Sequence, residues 1–138
     1  YGCMSGFMRT GDMYFTSYRD PNLRKTNEIY ENTPEYLRNF TADEREMTKY
    51  IIGTVSELDT PMNPYAKGMR SLTAYLIGLS YEAVQKERDE VLSATDKEIR
   101  ALADLIEVAL KQENLCVIGN EDVVEKEKDM FLQIENLY

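Results

Sequence analysis

The chain has 138 residues, 43% hydrophobic and 30% charged, a composition neither apolar enough for a membrane protein nor polar enough for a disordered one. That length admits one ordinary domain and excludes a second large one. Sixteen basic against twenty-five acidic side chains leave a net charge of −9, and no apolar run approaches the roughly 20 residues that span a bilayer, so nucleic acid and membrane are poor partners.

Residues 1–9 and 13–18 are rich in aromatic and β-compatible side chains and flank the turn signal Thr10-Gly11-Asp12, which predicts a β-hairpin. Asp20-Pro21 supplies an N-cap followed by proline, so a helix is expected from there to about Glu31. Thr33-Pro34-Glu35 starts a short helix ending near Phe40. Thr41-Ala42-Asp43-Glu44 reads as a capping box, followed by Met47, Tyr50, Ile51, Val55 and Leu58 at helical spacing. Pro61 and Pro64 break the pattern, which resumes from Tyr65 through Met69, Leu72, Leu76 and Leu79. Ser80 caps a helix from Tyr81 to about Leu92. Thr95-Asp96-Lys97-Glu98 is a second capping box, with the stripe Ile99, Leu102, Ile106 and Leu110 behind it. Leu115-Cys116-Val117-Ile118 reads as a buried strand, and Gly119-Asn120 turns into a charged helix over about 121–131. The tail from Phe131 to Tyr138 fits a helix end or a short strand equally.

The order predicts an α+β fold: a small antiparallel or mixed sheet of three or so strands, with several helices packed on one face. No repeat, low-complexity tract or linker divides the chain, so a single domain over 1–138 is expected. From Tyr81 onward there are 15 acidic and 7 basic residues, the mark of solvated helix faces.

The chain contains no histidine, which removes the Ser/His/Asp triad, the Cys/His dyad and every His-containing zinc site. Cys3 and Cys116 are far apart and read as reduced core thiols, Cys116 buried and inert. The carboxylate groups Asp43-Glu44-Glu46, Glu87/Asp89/Glu90 and Glu121-Asp122-Glu125 lack the pattern of a calcium loop and read as helix surface. There is no phosphate-binding glycine loop, no C-x-x-C and no G-x-S-x-G. Asn39-Phe40-Thr41 matches a glycosylation sequon, a triplet common by chance. The seven methionines read as core filling, and Gly2 and Gly6 as marks of a bulge or a close approach to the first strand. The chain opens at Tyr1 without Met or a leader, so no targeting signal is readable. Residues alone therefore yield an acidic α+β domain without a self-contained active site.

Four blocks extend this: Tyr1-Gly2-Cys3-Met4-Ser5-Gly6-Phe7, Ser17 to Leu23, Ala42 to Gly53 and Glu87 to Leu102, followed in order by Cys116-Val117-Ile118-Gly119. Together they resemble the C-terminal end of a pitrilysin/insulinase-family zinc peptidase, in its presequence-protease branch. The resemblance covers essentially the whole chain. It implies a large peptidase of four α/β modules whose two halves close around a chamber and degrade peptides. It implies that zinc is held in the first module by H-x-x-E-H plus a distal Glu, the motif Glu acting as general base, and none of that motif occurs here. This chain would be part of the fourth module, with no cofactor of its own. Its partners would be the N-terminal modules of the same polypeptide and peptide substrates, and the isolated piece would tend to self-associate. The branch carries a segment like R-x-x-G-A-Y-G, whose Tyr-Gly matches Tyr1-Gly2. The resemblance thus gives Tyr1 the role of an auxiliary transition-state hydrogen-bond donor; without it, Tyr1 is an ordinary strand-end aromatic. The contrasting expectation is a metal-free acidic interaction module or an inactive relative.

Overall fold

The structure is a computed structural model and describes residues 2–8 and 10–137. In chain order its elements are β1 (Gly2–Phe7), β2 (Met13–Tyr18), α1 (Leu23–Glu31), α2 (Thr33–Arg38), α3 (Glu44–Leu58), α4 (Pro64–Leu76), α5 (Tyr81–Leu92), α6 (Asp96–Leu110), α7 (Glu121–Lys126) and a 3₁₀ turn (Lys128–Met130). This is the expected α+β class. The sheet among the described residues has two strands rather than three. Two compact units emerge, residues 1–39 with 101–138, and residues 40–100.

In the first unit, β1 and β2 pair antiparallel in unbroken register from Gly2↔Tyr18 to Phe7↔Met13. Gly11, at φ 94°, adopts the left-handed backbone the reversal needs, and Thr10 Oγ1 donates to Asp12 Oδ2 at 2.6 Å across it. α1 begins at Leu23, later than expected, because the Asp20 carboxylate is engaged as a turn acceptor for the Asn22 amide at 2.9 Å and for the Thr26 hydroxyl. The core of this unit is small: Ala103 and Ile106 on α6 are 1% and 6% exposed, and Pro34 opens α2 buried. The inward stripe of α6 therefore runs through Ala103, while Leu102 is turned out.

The Leu115–Ile118 strand does not form. This run pairs with neither β1 nor β2 and lies as irregular backbone, with Leu115, Cys116 and Ile118 exposed. Cys116 is thus an exposed free thiol, as is Cys3, which corrects the expectation of core thiols. The last helix stops at Lys126, and residues 131–137, the described part of the tail, take neither of the two forms considered.

In the second unit, each helix opens on a local cap. The box of α3 is formed by Asp43 and Glu46, two residues later than expected: Asp43 Oδ1 accepts the Glu46 amide at 2.8 Å, and Glu46 Oε2 accepts the Asp43 amide at 3.2 Å. Asn63 accepts from the Ala66 amide at 2.8 Å ahead of Pro64, and Ser80 from the Ala83 amide at 3.2 Å. Gly78, at φ 68°, ends α4 in a Schellman motif, with Leu79 N donating to Ala74 O at 2.8 Å and Gly78 N to Tyr75 O at 3.2 Å. α3 packs on α5, and the half-buried positions are Met47, Ile51, Val55 and Leu58 on α3 and Val84, Gln85, Arg88 and Val91 on α5. None of the seven methionines is buried, which corrects their assignment as core filling.

The accessible surface is 11592 Å², where a complete folded monomer of 16.0 kDa would expose about 7,400 Å² and two separate units of half that mass about 8,900 Å². Many large apolar side chains, among them Tyr65, Tyr75, Leu76 and Ile118, are exposed.

Candidate functional site

Tyr1, the residue given a catalytic role by resemblance, lies outside the described residues. The hairpin that follows it is well anchored. Gly2 pairs with Tyr18, over whose ring the Arg19 guanidinium sits 5.2 Å from the centroid. Phe15 stacks on Tyr30 of α1 with ring centroids 4.8 Å apart and planes 11° from parallel, and the Tyr30 hydroxyl bonds Ser17 and the Thr16 carbonyl, the latter at 3.3 Å. Hydrogen bonds from Thr26 and then the Asn22 amide hold the Asp20 carboxyl below its ordinary pKa, so this bend stays ionised. Gly6 answers the close-approach reading: a Cβ there would sit 3.1 Å from the Tyr14 hydroxyl and 3.2 Å from its ring, across the pair Gly6↔Tyr14. Gly2 has open space around it, and no bulge interrupts the register.

Four arginines, which no local pattern marks, join segments distant in sequence. Arg24 donates to Glu127 at 2.6 Å and to Asp129 at 2.7 Å, beside a groove of about 580 Å³ lined by residues including Leu23, Lys25, Val123 and Lys126. Arg38 reaches Asp104 at 3.2 Å and also bonds Glu107, whose carboxyl is lowered first by Lys111 and then by Arg38. Arg88 bonds Asp59, lowering that carboxyl and raising its own pKa. Arg100 donates to the Phe40 carbonyl at 2.9 Å and grips Asp96 at 2.6 and 3.3 Å, tying together the two ends of the 40–100 unit. These pairs join segments within each unit, each adding little stability at such exposure, and their charges are already partnered.

A zinc site does not fit this donor set. The chain has no histidine, and among the described residues no three Cys, Asp or Glu side chains gather to hold a metal ion. The three carboxylate clusters lie on helix surfaces, Asp43 and Glu46 serving as reciprocal caps. Among the described residues no helix is long and apolar enough to cross a membrane.

The sequence model described as the PreP C-terminal domain matches residues 1–121. Protein HypA of Clostridium perfringens is 44% identical over 137 residues, which is 99% of this chain and 14% of the relative. Presequence protease 1, chloroplastic/mitochondrial, of Arabidopsis thaliana is 35% identical over 141 residues, covering 97% of this chain and 13% of its own length. A mitochondrial presequence protease of Aspergillus fumigatus is 29% identical over 111 residues, 80% of this chain and 10% of that protein. The chain thus spans at most 14% of these curated relatives. On this match over residues 1–121, the chain belongs to the PreP C-terminal domain family.

Proposed function

We propose that this chain is the C-terminal portion, within the last module, of a zinc-dependent endopeptidase of the presequence-protease type and the pitrilysin/insulinase family. It contributes closure and substrate contacts to a peptide-degrading chamber, while the zinc-bearing residues belong to N-terminal modules of the same polypeptide. The observation that carries this reading is that relatives named presequence proteases align along 97% and 80% of the chain yet are several times longer. The uncovered surface and the two-stranded sheet, each strand with one unpaired edge among the described residues, support it physically.

Tyr1 serves as an auxiliary donor. Hydrolysis of a peptide gathers negative charge on the scissile carbonyl oxygen, and a phenol O–H brought across by the closing half donates a hydrogen bond there. The isolated chain, without a metal site, holds no stoichiometric zinc and cleaves no peptide, and its open strand edges favour self-association through the 1–18 hairpin. Metal analysis, peptide cleavage assays and sedimentation check these three statements.

The alternative, a metal-free interaction module or inactive relative, draws on the acidic, histidine-free composition. The coding sequence upstream of Tyr1 separates the two. An in-frame H-x-x-E-H supports the peptidase, and an upstream sequence without it supports the alternative.

A further inference from the structure

α4 is turned inside out. Its half-buried positions are the small residues Ala66 and Ala74, while Tyr65, Leu72, Tyr75 and Leu76 are 76%, 50%, 82% and 72% exposed. At 100° per residue these four, with Gly68 and Met69, form one continuous stripe about 120° wide. The stripe carries no charge, Lys67 and Arg70 standing on the other side of the helix. Gly68 lies within it, and a Cβ built there meets nothing within 4 Å. Glycine destabilises a helix interior relative to alanine, and no contact among the described residues requires it at that position. An uncharged stripe of large side chains around a bare stretch of backbone has the form of a helix surface that another backbone crosses closely.

We infer that the Tyr65–Leu76 stripe is a docking face for an apolar helix or strand of the same polypeptide N-terminal to residue 1, which crosses α4 at Gly68. This rests on the C-terminal-portion reading above. That reading supplies the occupant, because at least 86% of the length of the aligned relatives lies outside the part this chain matches. An intramolecular element needs no separate affinity to find the face, since tethering holds it at high effective concentration.

The test uses the full-length natural polypeptide carrying Tyr75→p-benzoylphenylalanine, irradiated and mapped by peptide mass spectrometry. Crosslinks to a peptide upstream of residue 1 of the same molecule are expected. Crosslinks to a second copy, to an added substrate peptide, or to nothing overturn the inference. A second readout places single cysteines in the same polypeptide. Leu72→Cys should react with a maleimide at least tenfold more slowly than Lys67→Cys, and equal rates overturn the inference. The mass of the purified polypeptide is measured first. A natural product near 16.0 kDa removes the C-terminal-portion reading itself, whereas a much larger one that gives no upstream crosslink removes only the docking face.

Discussion

α6 and α4 are amphipathic helices of 15 and 13 residues, and their apolar stripes have opposite fates. α6 turns Ala103 and Ile106 inward against its own chain, whereas α4 turns Ala66 and Ala74 inward and its large side chains out. Amphipathic spacing states that a helix has a face to bury, not that the burying surface lies in the same stretch of sequence. On the proposed reading the molecule divides into residues that pack within these 138 and residues that await an upstream partner.

The largest expected effect is on the finished side. Ile106→Ala should lower the unfolding free energy of the parent protein by about 2–4 kcal/mol, because the cavity adds to the lost transfer term. Urea denaturation measures it, and a loss under about 1 kcal/mol would mean that α6 holds no core. Next comes Tyr1 on the unfinished side: Tyr1→Phe in the parent should lower kcat roughly 10-fold to 10²-fold, with zinc content and stability nearly unchanged. Kinetics equal to wild type would return Tyr1 to a strand-end aromatic, and loss of folding would mark a structural defect. Gly78→Ala should cost about 1 kcal/mol, since φ 68° strains any residue with a Cβ at the end of α4. A neutral result in thermal melts would show that this helix end is free to rearrange.

The smallest effect is acid sensitivity. Asp59 is held below its ordinary pKa by the hydrogen bond from Arg88, and Glu107 by those from Lys111 and Arg38. A carboxyl with a folded pKa below its unfolded one adds stability above the unfolded pKa and loses it as pH falls through the folded value. Stability should therefore decline from the ordinary carboxylate range downward, and Asp59→Asn should flatten part of that decline. Asp59 is exposed and Glu107 only half-buried, so the change is modest and shrinks further in salt. An unaltered pH profile in the variant would assign the decline elsewhere.

What was legible in the sequence was what is local. Asn120 at α7, Ser80 at α5 and Pro64 at α4 mark helix starts because a cap involves residues two or three apart. The hairpin was legible because its turn needs glycine at position 11. What failed was what depends on absent or distant partners. Leu115–Ile118 has the composition of a strand and no strand beside it, so the run and Cys116 stay exposed. The links from Arg24 to Glu127 and from Arg38 to Glu107 span 103 and 69 residues, beyond any periodic signal. The stripe Ile99, Leu102, Ile106 and Leu110 errs at Leu102, because the helix turns the smaller neighbour Ala103 inward. As for the site, Tyr1 came from resemblance alone.

The central claim is that the chain completes a peptidase whose metal site lies elsewhere in the same polypeptide. Its most direct test is the parent polypeptide with and without residues 1–138, assayed for peptide cleavage and zinc content together. The account predicts that the truncated parent retains zinc and loses cleavage, whereas cleavage as fast as that of the intact parent would contradict it.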